Sequence, residues 1–296
     1  MNEFESLLSS SRELWRGLGL GLFEKKLILA AVTGMMFYVL VLAAERLGGT
    51  RTGNYQSRSF MHDAVYWFYY RLGINYLLIA PLFQALDQRF AFLDRNLLVS
   101  LPILLRVLIY LMVAEFLFYW WHRALHRFKF LWAFHTTHHA PERLTFASSM
   151  RFHPVEVFLQ YCWYYVLFRI IGANPESWLP LLILMEFSLN LQHTQITWRL
   201  GPLYRVLVTP TFHSYHHSTE PAHYNKNFSG GIFSFWDYLF GTAVQDTRAP
   251  PVRLGLDNVR MPSLMSSLTT PFLLLVEYYG RTKRTAPWNG KSRPAE

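Results

Sequence analysis

The sequence predicts an all-α, polytopic transmembrane helix bundle with a cytoplasm-facing, histidine-rich cap holding a di-metal site. Three observations carry that expectation. Several apolar runs approach or exceed the length needed to cross a bilayer. The 296 residues are 52% hydrophobic and 17% aromatic, and their mean hydropathy of +0.12 is high for a soluble protein. Eight of the twelve histidines fall in three short boxes, His122/His126, His135/His138/His139 and His213/His216/His217, at one end of the expected spans.

Taken in order, residues 1–26 hold four acidic and four basic side chains and lack the pattern of a cleaved signal peptide. Leu27 to Ala44 is an uncharged run of 18 residues, the cleanest span. Ala64 to Leu86 follows, interrupted by Arg71, and then Leu97 to Trp121 with Arg106 and Glu115 inside it. Val155–Ile171 and Trp178–Gln192 flank a Gly-Ala-Asn-Pro-Glu-Ser turn and predict a transmembrane hairpin over 155–192. Residues 232–242 read as a buried strand or helix end. Leu264 to Tyr279, broken by Pro271, predicts an interfacial helix, and the last dozen residues a disordered basic tail. The chain thus divides into an N-terminal membrane region (1–114), a histidine-box domain (115–242) and a basic extension (243–296).

Charge gives the orientation. With the boxes facing the cytoplasm, 19 Lys and Arg lie on that side against six on the other, which satisfies the positive-inside rule with five spans and the N-terminus outside. The same asymmetry assigns the net charge of +9 to a membrane surface rather than to nucleic acid. The one cysteine, Cys162, excludes an intramolecular disulfide, a Cys-rich zinc module and an iron–sulfur site.

The box spacing carries the chemistry. Positions i, i+3 and i+4 share a helix face, so each box aims two or three imidazoles at one point. Adjacent histidines diverge by about 100°, so each His-His pair can serve two metals. Imidazole without thiolate suits Fe, Zn or Cu. His153 and His193 stand at the two ends of the hairpin, beside the boxes. Glu115 shares a stripe with His122 and His126, Glu186 with His193, and Glu156 lies three residues after His153, so each carboxylate is placed to accept an imidazole N–H and fix its tautomer.

The order H-x3-H, H-x2-H-H, a lone histidine after a hydrophobic hairpin, H-x2-H-H, then Asn-Phe-x-Gly and Trp-Asp-x-Leu-Phe-Gly-Thr resembles the fatty acid hydroxylase and sterol desaturase superfamily over Glu115 to Thr242. Glu115-Phe-Leu-Phe-Tyr-Trp-Trp-His-Arg and His153-Pro-Val-Glu156 resemble further elements of that family. The resemblance implies metal ligands at His122, His126, His135, His138, His139, His193, His213, His216 and His217, with His153 a tenth. It implies two non-haem irons, with zinc an alternative occupant on isolation, and O2 as co-substrate. Glu115, Glu156 and Glu186 are the candidates for orienting ligands or relaying protons. The implied activity is hydroxylation of a lipid C–H bond, with desaturation as the alternative and a non-catalytic metal-binding membrane protein as the rival from another class. No flavin, haem or ferredoxin module is visible in the sequence, so a separate donor, cytochrome b5-like or ferredoxin-like, would supply electrons at the basic face. One departure from the family stands out: where some members carry H-x3-H, the second hairpin helix offers His193 alone, near Asn190 and Gln192.

Overall fold

The computed structural model describes residues 22–47, 53–72, 74–87, 89–172, 175–198, 200–245, 250–251 and 253–280. Ten α-helices are found there: α1 (Leu22–Leu47), α2 (Arg58–Arg71), α3 (Ile74–Asp87), α4 (Ile103–Arg127), α5 (Lys129–His139), α6 (Pro154–Ile171), α7 (Pro175–Gln192), α8 (Pro210–His216), α9 (Phe235–Leu239) and α10 (Leu264–Gly280). The only β-pairing among the described residues is two isolated bridges, so the fold is all-α.

Local chemistry sets the boundaries that matter for the site. Pro102 lies just before α4, where its fixed φ and missing N–H do no harm. α4 stops at Phe128, whose extended backbone (φ −105°, ψ 122°) turns the chain into α5, and neither Gly nor Pro marks that break. α6 starts with Pro154 in its first turn and ends at Gly172, left-handed at φ 73°, where a Cβ would meet the backbone of Asn96. Thr209 caps α8 by accepting the Phe212 amide at 3.1 Å, again with Pro in the first turn.

Two sequence expectations change. The stretch 64–86 is not one element: α2 ends at Arg71 and α3 starts at Ile74, giving two 14-residue helices, each about 21 Å long and short of a ~30 Å hydrocarbon core. Pro271 does not break α10, which runs through it. Residues 232–242, for which the sequence offers a strand or a helix end, form the short helix α9 with its flanking turns. The N-terminal 21 residues and the basic tail after Gly280 lie outside the described residues.

Among the described residues one helix, α4, is both long and apolar enough to cross a membrane. Ile103, Leu104, Leu108, Met112, Phe116 and Trp120 on it are exposed, while Glu115, Tyr119, His122 and His126 form a buried stripe on another face. α5 and α6 pack on α4, α7 packs on α1, α4 and α8, and α10 lies along α5.

A buried ion pair ties the N-terminal helices to this core. Arg151 donates to Asp63 at 3.0 Å and to the Met261 carbonyl at 3.3 Å, and Ser148 donates to the second Asp63 oxygen at 2.6 Å. Both charged side chains are almost wholly buried, at 3% and 0% exposure, so removing one strands the other in a medium that cannot solvate it. Asp63→Ala is therefore expected to lower stability by about 3–5 kcal/mol, read as a fall in the thermal unfolding midpoint in detergent. The double variant Asp63→Leu, Arg151→Met should recover part of the loss, and an unchanged midpoint for Asp63→Ala would refute this account of the pair.

Candidate metal centre

Nine histidines converge in two groups. His122, His126, His135, His139 and His216 form one, and His138, His193, His213 and His217 the other. Within each group the potential ligand nitrogens all lie within 4.8 Å of one another, and every ring is buried. Each H-x2-H-H box feeds both groups, as adjacent positions 100° apart on a helix require: His138 and His139 part company, as do His216 and His217.

The ring nitrogens decide whether these groups suit a metal. His122 donates from Nδ1 to the Phe228 carbonyl at 2.7 Å, His216 to the Lys226 carbonyl at 2.9 Å and His193 to the Leu189 carbonyl at 2.8 Å, while the Nδ1 of His135 meets the Glu156 carboxylate at 2.8 Å. A neutral imidazole carries one ring hydrogen, so an Nδ1 that donates to a carbonyl, or to Glu156 in its ionised form, leaves Nε2 with a lone pair. Yet His122 Nε2 and His135 Nε2 face each other at 3.2 Å. Two lone pairs at that distance repel unless a cation lies between them. Two imidazoles bound to one metal at about 2.0–2.1 Å are themselves roughly 3.0–3.4 Å apart, nitrogen to nitrogen. The other inward contacts, His126–His139 at 3.1 Å, His138–His193 at 3.4 Å, His193–His213 at 3.1 Å and His213–His217 at 3.1 Å, fall in the same range. The donor set fits two transition-metal ions.

Protonation agrees. Burial pushes His193 down to about 4, and burial followed by neighbouring imidazoles holds His138 well below the ordinary histidine value. Both rings are neutral at pH 7 and free to donate a lone pair.

The acidic residues take other tasks than spacing implies. Glu156 serves His135, from the next helix, rather than His153. Glu115 accepts the backbone amides of Ile232 and Phe233 at 2.7 and 3.2 Å. It thereby anchors the loop that presents the Phe228 carbonyl, and a Cβ on Gly231 would collide with its carboxylate. Glu186 pairs with Arg71 at 2.7 Å, so a backbone carbonyl and not this acid orients His193. His153 stands outside both groups: its Nδ1 accepts the Val155 amide at 3.1 Å, capping α6, and its Nε2 donates to Leu268 at 3.2 Å. Asn190 accepts from Trp67 and Ser149, at 3.1 and 2.9 Å.

The Asn-Phe-x-Gly and Trp-Asp segments turn out to be a scaffold for one ring. Asp237 accepts the amides of Phe228 and Ser229 at 2.8 and 2.7 Å and the Thr242 hydroxyl at 2.6 Å. Asn227, left-handed at φ 55°, donates to the Phe212 carbonyl and accepts the Val244 amide. These bonds fix the carbonyl that His122 needs. Spacing alone does not reveal such backbone partners, though an Asp and an Asn in a Gly-rich turn are the usual signal of side chains bonding backbone amides.

The family model "Fatty acid hydroxylase" matches residues 107–242. An ornithine lipid hydroxylase of Rhizobium tropici is 29% identical over 171 residues, 58% of this chain and 51% of the relative. The alkylglycerol monooxygenase of Danio rerio is 35% identical over 128 residues, 42% of this chain and 27% of the relative. A very-long-chain aldehyde decarbonylase of Arabidopsis thaliana is 29% identical over 187 residues, covering 57% and 28%. The chain thus spans about half or less of the length of these relatives. No solved structure gives a significant match.

The two groups predict about two metal ions per purified chain, measured by inductively coupled plasma mass spectrometry. His135→Ala and His193→Ala remove one ligand from different groups, so each is expected to lower the content towards one ion. Undiminished content in both variants would rule out the assignment.

Proposed function

Residues 107–242 match the fatty acid hydroxylase family model, and from that premise we propose that the chain is a member of that family, a membrane-bound, di-iron oxygenase that hydroxylates a C–H bond of a lipid with O2 and electrons from a separate donor. The observation that carries this reading is the pair of buried, thiolate-free imidazole groups with lone pairs turned inward. Such ligands leave iron, zinc and copper as chemical options; the family favours iron. Two redox-active ions held there would supply O2 activation and the oxidising power to attack an unactivated C–H bond.

The chain's own residues do the rest. His122, His126, His135, His139 and His216 would hold one ion, and His138, His193, His213 and His217 the other. Glu156 and three backbone carbonyls hold ring hydrogens outward, which fixes ligand tautomers and raises their basicity. Burial of every ring excludes bulk water from the centre. The ornithine lipid hydroxylase and the alkylglycerol monooxygenase are named for lipid substrates, which supports a lipid here. An apolar groove along α4, lined by Leu108, Ile109, Met112, Val113, Phe116 and Trp236, suits an alkyl chain arriving from the bilayer. We take the topology as multi-pass, with the centre on the cytoplasmic face and α10 at the interface. An acidic electron donor would dock on the basic residues of that face.

The test is lipid mass spectrometry on cells expressing the chain beside the His138→Ala, His216→Ala variant. A lipid heavier by one oxygen, present only with the parent and dependent on O2, is the expected result. A lipid lighter by two hydrogens would identify a desaturase instead. The same lipid made equally by the variant would overturn the proposed centre.

A further inference from the structure

The α10 helix lies beyond Thr242, where the family match ends. It nevertheless touches the second histidine box at a point created by its own proline. Pro271 sits inside the helix and has no N–H, so the carbonyl four residues back, at Ser267, loses its i→i−4 hydrogen bond. That carbonyl accepts the hydroxyl of Thr137 at 3.1 Å. Thr137 is the third residue of His-Thr-Thr-His-His, flanked by His138 of one group and two residues from His135 of the other. It is fully buried and bonds to α10, on the α5 face that also packs Phe134 against Phe272. The next carbonyl, Leu268, accepts His153 Nε2 at 3.2 Å, and the His153 ring packs against both Phe134 and Phe272. Tyr66 bonds the Ser267 hydroxyl at 2.7 Å, and Ser267 passes its own hydrogen to Leu264, so the turn is held from α2 as well.

We propose that α10 is a working part of the metal centre, with the Ser267 carbonyl freed by Pro271 acting through Thr137 to hold His135, His138 and His139 in register with the other boxes. Thr137, Ser267 and Pro271 are thus positioning residues, and the proposal rests on the metal-centre reading. It also explains His153: the ring that spacing offers as a tenth ligand is instead a tie between α6 and α10.

The test uses the full chain in detergent with two readouts, the rate of metal loss to a chelator and the visible band positions of the cobalt(II)-loaded protein. Band positions report ligand geometry and do not move when the fold merely loosens. Thr137→Val is expected to lose metal about ten-fold faster, as loss of such supporting bonds typically does, with displaced cobalt bands, and Thr137→Ser to restore both. Should the valine variant not fold, Pro271→Ala carries the same readouts, since it keeps Thr137 and adds an N–H that competes for the Ser267 carbonyl. Parent-like rates and bands, or faster loss with unmoved bands, would overturn the role of α10. A parent protein that takes up neither its native metal nor cobalt would overturn the metal-centre reading itself, and this proposal with it.

Discussion

The structure depends on how imidazole hydrogens are disposed of. A neutral ring has one hydrogen and one lone pair, and a cluster of nine rings works as a metal cage only if the hydrogens leave and the lone pairs enter. Four rings in two groups have visible outward partners: three backbone carbonyls and the Glu156 carboxylate. Each acceptor needs its own support. The Phe228 carbonyl rests on Asp237, which rests on Thr242, which accepts from Tyr119 one turn before His122 on α4. The chain of bonds returns to the helix it started from, so the ring and its acceptor are held by one closed network.

Buried charge follows the same logic. Glu115 and Asp237 each lie at 2% exposure or less, and both are met mainly by backbone amides of the 228–233 loop. A carboxylate surrounded by amide donors is tolerable in a dry interior, whereas a bare one is not. Gly230 and Gly231 admit this approach, since a Cβ at either would strike Phe118 or Glu115. Of the three acids that spacing suggests for proton relay, Glu115 is thus occupied with holding backbone and Glu186 with Arg71, and Glu156 alone touches a ring of the two histidine groups.

This division marks what was legible in the sequence. Histidine spacing on helices is a local property, so the two groups could be read from the boxes, and His193 from its place at the hairpin end. The partners of the outer nitrogens could not, because a carbonyl has no residue-type signature, and for His122 its aim depends on the fold of a loop 106 residues away from the ring it serves. Glu186 and Glu115 show the limit of arguing from one helix face: both share a stripe with histidines, but Arg71 and the Gly231 loop lie nearer. Pro271 reads as a helix breaker on propensity, yet packing of α10 on α5 and the Thr137 hydroxyl offset its missing bond. The break between α2 and α3 was masked by an apolar composition that continues across it.

Placement of the boxes has a further physical reason. His122 and His126 lie in the last two turns of α4, His138 and His139 in the last turn of α5, and His213 and His216 in the last turn of α8; His193 follows the final residue of α7. Four helices therefore direct their C-terminal ends, with roughly half a negative charge each, towards the site. Helix C-termini also carry carbonyls without intrahelical donors, and Leu189, the acceptor for His193, is such a carbonyl at the end of α7. The arrangement answers two needs of a cationic centre built from neutral ligands. Imidazoles would contribute no charge to balance bound cations, so the helix ends would supply part of the negative potential that carboxylate or thiolate ligands otherwise provide. The same ends supply the hydrogen-bond acceptors that keep the rings in the binding tautomer.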